Sequence, residues 1–350
     1  MATPTTQPLR TMHRLKEIYL LREEPARYDT RIAFAAALAV GTPLTAGVST
    51  GHTRAGVVMA LAAWVTVLAV PKSHRRARTV QLLTRTALLT AATTLGALVG
   101  GMLWATAAAS AALALLVPVP YAGGSPLICM VTATVPQPGI STPEHVLLFL
   151  TGCLWATALL LLPVTGGPYS TTPGPHPSPA SATLPPWTAL REAVTHKTPE
   201  FRHAVRVCAC FTSSYTFMTL LHLPHANWAL VGILTTLRAD WSRTRSRIVK
   251  RLTGMLAGCL FTAPLLALTT TPLAAALAIT VCGGIARPMR QFNYGFWPVF
   301  ATPVLLLLTD FSTELTWVDV TERLTTNALG ALIAAIAMLL WPAPAHPADL

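Results

Sequence analysis

The chain has 350 residues, of which 53% are hydrophobic and only 11% charged, and its mean hydropathy is +0.54. Soluble globules typically carry about 25% charged residues, so this composition excludes one and implies a polytopic membrane protein. The formal net charge of +12 would point to nucleic acid in a soluble chain, but here the cations segregate by membrane side, which leaves the lipid bilayer as the partner and no nucleic acid.

Residues 1–30 carry Arg10, Arg14, Lys16, Arg22 and Arg27, interleaved with Leu9, Met12, Leu15, Ile18 and Tyr19 at near-helical spacing. That pattern predicts a basic amphipathic helix on the cytoplasmic membrane face, with an irregular tail as the alternative. No short apolar region with a cleavage site follows the charges closely, so the segment is not a signal peptide.

Six apolar segments follow, at 31–49, 55–70, 86–103, 105–120, 125–136 and 146–164. A second six lie at 204–222, 226–237, 252–269, 272–286, 294–309 and 324–341. Several fall short of the ~20 residues that a perpendicular helix needs to cross the bilayer core. Such segments must be shielded by neighbours, be re-entrant or border a wetted region. Between the two sets, 165–203 is a Pro/Gly-rich cytoplasmic linker whose end, 187–203, is predicted as a short helix, and 343–350 is a cytoplasmic tail. The six cysteines sit in apolar runs without metal-binding spacing and read as small buried hydrophobes.

With the N-terminus inside, all but Arg54 and Arg323 of the 25 Lys and Arg residues fall on the cytoplasmic side. Twelve spans with both termini in the cytoplasm, in the plasma (inner) membrane, is the simplest topology. The densest inner stretch is Asn227–Cys259, where a cationic loop joins two apolar runs and the second run opens on Gly254 and Gly258.

The two sets also resemble each other. Gly96 and Gly100 in the third span match Gly254 and Gly258, and Glu144, His145 and Gly152 match Glu322, Arg323 and Gly330 at one spacing. Six spans is an even number, so the repeats run in the same direction through the membrane. The predicted fold class is therefore all-α: a polytopic helical membrane protein of about twelve transmembrane helices, as two parallel-oriented six-helix repeats over 31–164 and 204–342. The register of the third span leaves either Arg78 or Arg85 to pair with Arg243.

Guanidinium groups near an inner mouth suit a carboxylate, because arginine offers a planar two-pronged donor that keeps its proton. Arg243 and Arg247 are i, i+4 neighbours with Arg251 one turn further on, so the three can share one helix face. The alternative is that they contact lipid phosphate. Trp228, Phe292, Tyr294 and Trp297 could stack an aromatic substrate or belong to an interfacial belt. Arg323, at the outer end of the last span, is either an exit-side anion contact or the partner of Glu322 or Asp319.

No ATP-binding loop, metal motif or catalytic constellation is present, so neither an enzyme nor a cofactor is expected. The acids all lie in loops or at span ends. An anion leaving a negative-inside cell gains about 2.3 kcal/mol per charge per 100 mV, which favours potential-driven efflux over proton exchange. The competing class is a membrane scaffold or regulatory partner that transports nothing. Association with further copies stays open.

Over 227–342 the residues resemble the fusaric acid resistance and aromatic acid exporter (FUSC) family. The resemblance rests on Trp228, Arg243, Thr244, Arg247, Arg251, Gly254, Gly258, Asn293, Tyr294, Arg323 and Gly330. It implies an integral membrane transporter that exports small aromatic carboxylate-like anions. It also implies that Trp228, Arg243, Thr244, Arg247, Arg251, Asn293, Tyr294 and Arg323 are the substrate-binding positions. Many relatives carry Arg, two residues, Asp, Thr in the final span, whereas this chain has Arg323, Thr326 and Asn327.

Overall fold

In lipid every backbone N–H and C=O must be bonded within the protein, and a helix does this locally. The computed structural model describes residues 28–68, 75–117, 123–135, 137–162, 198–223, 226–311 and 317–341, with Thr188, Arg191, Val194 and Thr195. Among the described residues there are twelve helices, one for each predicted apolar run, and no strand. The N-terminal amphipathic segment up to residue 27, the linker, most of 187–197 and the tail lie outside the described residues.

The first six helices are α1 (Thr30–Ser49), α2 (Thr53–Val67), α3 (Arg75–Val99), α4 (Leu103–Ala114), α5 (Ser125–Ala133) and α6 (Thr142–Leu161). The second six are α7 (Pro199–Leu220), α8 (Ala226–Thr236), α9 (Trp241–Leu268), α10 (Pro272–Phe292), α11 (Trp297–Thr309) and α12 (Trp317–Leu340).

Six of these, α1, α3, α6, α9, α10 and α12, are long and apolar enough to cross a membrane. The expectation of twelve full spans is therefore met in number of helices and only half met in length. At 1.5 Å per residue the 11 residues of α8 reach about 16 Å, roughly half of a ~30 Å hydrocarbon core.

Two boundaries differ from the hydropathy pattern in the same way. Helix α3 begins 11 residues before its predicted apolar run, and so does α9. The cationic loop of the Asn227–Cys259 stretch is thus largely the first turns of α9. Asp240 caps that helix by accepting from Arg243 N–H at 2.8 Å, and arginine and lysine are good helix formers. Hydropathy ends where charge begins, but the helix continues through it.

Side-chain hydroxyls are satisfied along the helices themselves. Thr42, Thr66, Thr262 and Thr280, for example, each donate to the carbonyl four residues earlier at 2.7–2.8 Å, which lets threonine sit in apolar surroundings.

Packing is closest where glycine faces backbone. Gly152 of α6 lies against the Met59 carbonyl of α2, and Gly330 of α12 against the Ala229 carbonyl of α8. Gly96 of α3 lies against Met130 of α5, and Gly254 of α9 against Gly295 and Pro298 at the start of α11. Helix α1 packs on α2 and α10, and α4 packs on α7. The short helices α2, α5, α8 and α11 are left around a central space.

Candidate functional site

That space is a cavity of about 750 Å³, within the range of small-molecule sites. Its walls come mainly from α2, α5, α8 and α11, with apolar side chains such as Leu61, Trp64, Ile128 and Val231. Among the described residues its charged lining consists of Arg238, Arg290, Arg323 and Asp310. Three guanidiniums against one carboxylate make a low-dielectric space of positive potential, which concentrates anions.

At one end Arg290, Tyr294 and Trp297 form a layered cluster. The Tyr294 and Trp297 rings stack with centroids 5.4 Å apart. The Arg247 guanidinium lies 3.8 Å from the Tyr294 ring centre, and that of Arg290 lies 5.6 Å from the Trp297 centre. Two cations thus bracket one aromatic pair, an arrangement favoured by the ring quadrupoles. Arg290 also donates to the Leu68 carbonyl at 2.7 Å, just past the end of α2. Arg238, at the end of α8, donates to the carbonyls of Leu237 and Thr235 at 2.9 and 3.2 Å.

At the other end Arg323 stands over the Trp228 ring at 4.8 Å, donates to Thr309 Oγ1 at 2.7 Å and pairs with Asp310. The acid that hydrogen-bonds to it is Asp310, and Asp319, one of the two partners that sequence proximity offered, adds a second negative charge nearby. Asp310 closes α11, and the fold brings that helix end beside the second turn of α12. His145 lines the same cavity.

Other buried arginines are explained by helix ends. The last carbonyls of a helix have no intrahelical acceptor role to fill and carry about half a negative charge. Arg85 donates to Val65 O at 3.0 Å and to Ser125 Oγ at 2.9 Å, and Arg287 donates to Val67 O, so the end of α2 takes several guanidiniums. Arg78 donates to Leu160 O at 2.7 Å, near the end of α6, and Arg206 to Trp341 O at 2.9 Å, past the end of α12. Carbonyl dipoles at helix ends are thus among the acceptors that let guanidinium groups be buried here.

The positions implied by sequence divide into three groups. Trp228, Tyr294 and Arg323 line the cavity. Arg247 meets it through its contact with Tyr294, and Arg251 is buried behind it, donating to Asn327 Oδ1 at 2.7 Å and bonding to the Tyr294 side chain. Arg243, Thr244 and Asn293 are not part of the lining. Arg243 is 78% exposed and paired with Asp240 at 3.2 Å. Thr244 is buried, accepting from Arg238 N–H at 3.0 Å and donating to Asp240 O at 2.8 Å. Asn293 accepts from Gly295 N–H at 3.0 Å and shapes the turn into α11. Of the face expected for Arg243, Arg247 and Arg251, the last two thus meet at Tyr294 and Arg243 stands apart.

Sequence reasoning passed over Arg238 and Arg290, which it counted as inner-loop cations. The available signal was their position, since each closes or follows a helix next to an apolar run shorter than a bilayer.

Comparison with known proteins agrees with the resemblance. Residues 212–337 match the family described as fusaric acid resistance protein-like. An uncharacterized protein, ORF2, of Neisseria gonorrhoeae is 26% identical over 158 residues, covering 45% of this chain and 38% of the relative. The inner membrane protein YccS of Escherichia coli (strain K12) is 25% identical over 157 residues, covering 45% of this chain and 22% of its own length. The uncharacterized protein YhfK of the same organism is 27% identical over 165 residues, covering 45% of this chain and 23% of its own length. The chain thus aligns with well under half the length of these relatives. No solved structure gives a significant match.

Proposed function

We propose that the chain is a transporter that exports small organic anions, aromatic carboxylates in the first instance, across the inner membrane. The observation that carries this reading is the central cavity with guanidinium groups at both ends and one carboxylate in its lining. The family match over 212–337 supports transport, and the similarity to YccS, an inner membrane protein, supports an inner-membrane location.

In this reading both termini are cytoplasmic and Arg238 and Arg290 lie at the inner mouth. A carboxylate entering there exchanges water for charge-assisted donors, with an apolar wall to accept its ring. Arg323 then receives it at the outer mouth. Outward movement of the negative charge is driven by the membrane potential.

The reading extends to two parallel six-helix repeats. Supporting it, α2 packs on α6 as α8 packs on α12, and α3 on α5 as α9 on α11. The contacts between the sets are also reciprocal, with α10 on α1 and α4 on α7. The glycine pairs Gly152 and Gly330, and Gly96 and Gly254, occupy matching contacts. His145 and Arg323, the matched residues of α6 and α12, both line the cavity. The glycine register would align Arg85 with Arg243. Such an arrangement puts the pathway on the pseudo-two-fold axis between repeats.

The test is efflux of a panel of aromatic and aliphatic monocarboxylates from cells expressing the chain. Arg290→Gln at normal membrane abundance should lower efflux about tenfold or more, the loss of one charge-assisted bond, while Arg243→Gln leaves it unchanged. No efflux of any anion above that of cells lacking the chain would instead favour a scaffold or regulatory partner.

A further inference from the structure

Behind the Trp228 and Trp297 wall of the main cavity lies a second, smaller one of about 30 Å³, between α8, α9, α11 and α12. A water needs ~10–15 Å³ of such space, so this one holds a single small species and no organic substrate. Its lining includes Trp228, Arg251, Trp297, Arg323 and Asn327 and, among the described residues, no carboxylate.

Three of those side chains carry a buried N–H group with no acceptor among the described residues: Arg251 Nε, Trp297 Nε1 and Arg323 Nε. Their residues are 4, 5 and 5% exposed. The acceptor in the lining, Asn327 Oδ1, is already taken by Arg251 Nη2 at 2.7 Å. The charges are unequal as well. Arg323 pairs with Asp310, whereas Arg251 bonds to the Asn327 amide and to the Tyr294 side chain, and neither is a carboxylate. Donors without acceptors, an excess positive charge and room for one small species together define an anion site. A buried donor left unsatisfied costs about 1–3 kcal/mol, and a cation buried without a counter-charge costs more.

We infer that this cavity binds a single monatomic anion of chloride size, with its donors drawn from Arg251 Nε, Trp297 Nε1 and Arg323 Nε. Its recognition is by charge and donor number, because the pocket is otherwise apolar, with Met255, Cys259 and Leu306 in its lining. The bound anion neutralises Arg251 and fixes Arg323, which also lines the transport cavity. The occupant is not the exported substrate, so binding can be measured without transport.

The experiment is thermal unfolding of the purified full chain in detergent, in sodium chloride against sodium gluconate at equal ionic strength. Ligand that binds only the native state raises the transition temperature with concentration. Chloride and bromide should raise it and gluconate should not. Trp297→Phe keeps the ring and removes one donor, and should weaken the apparent chloride affinity about tenfold. Arg251→Gln should abolish the chloride dependence. Bromide-soaked crystals should give an anomalous peak among the three nitrogens. Equal transition temperatures in chloride and gluconate would overturn the inference, since water then satisfies the donors. A chloride effect undiminished in both variants, or a bromide peak absent from this cavity, would overturn it too.

Discussion

Alanine at Gly330 should pry α12 from α8, and the sign of the effect separates backbone contact from ordinary packing. A Cβ built there falls 2.9 Å from the Ala229 carbonyl carbon and 3.1 Å from its Cα. Carbon atoms prefer about 3.5–4.0 Å, so the helices must part by at least about 0.6 Å. A gap of that size forfeits a quarter or more of each pairwise attraction along the interface, and overpacking costs about 1–3 kcal/mol. Against this, replacing glycine within a helix gains about 0.5–1 kcal/mol of backbone entropy. The net expectation for Gly330→Ala is a loss of about 1–2 kcal/mol. Gly152→Ala should behave alike, because its Cβ meets Met59 Cα at 2.8 Å. Gly283→Ala is the control: its nearest neighbour is Trp64 Cζ3 at 3.7 Å, so the entropy gain stands and the variant should be neutral or more stable. The assay is tryptophan-monitored unfolding of the purified protein, in which ~2.1 cal/mol/K per residue over a chain of this length turns 1 kcal/mol into about 1–2 °C. If Gly330→Ala and Gly152→Ala unfold at or above the temperature of Gly283→Ala, the close approach of these helices is refuted.

Removing the α9 cap with Asp240→Ala should cost about 1 kcal/mol, read in the same unfolding assay, because it frees Arg243 N–H from its side-chain acceptor. Arg323→Gln and Asp310→Asn should be non-additive in efflux when combined, since the two side chains form one ion pair. In a cysteine-free background, Val231→Cys and Leu234→Cys line the cavity and should react faster with an anionic than with a cationic thiol reagent, as mass spectrometry would record. Leu260→Cys, on a face 66% exposed and outside the cavity, should react with neither when the protein is in lipid.

The helices were legible because apolar runs separated by charge or by turn residues report them directly. Their true starts were not, since α3 and α9 carry their arginines within the helix, and hydropathy cannot tell a charged helical turn from a loop. Burial of Arg78, Arg85, Arg206 and Arg287 was invisible for a related reason: their acceptors are carbonyls at the ends of other helices, which no local pattern records. Arg323 stood out in sequence as one of two outer cations, but its acid, Asp310, sits 13 residues away on another helix. Arg243 drew attention by motif and spacing, yet a helix N-terminus beside Asp240 already accounts for it. Arg238 and Arg290 gained their significance only from the cavity that the short helices leave between them.

The central claim is that anions cross the protein through that cavity. Charge movement by the purified full chain, reconstituted on a solid-supported membrane and given a gradient of each monocarboxylate in turn, tests it directly. At least one of these anions should drive a saturable current of negative sign that falls about tenfold or more in Arg290→Gln and persists in Arg243→Gln. Absence of current and of flux for every anion in the panel, or a current indifferent to Arg290→Gln, would contradict it.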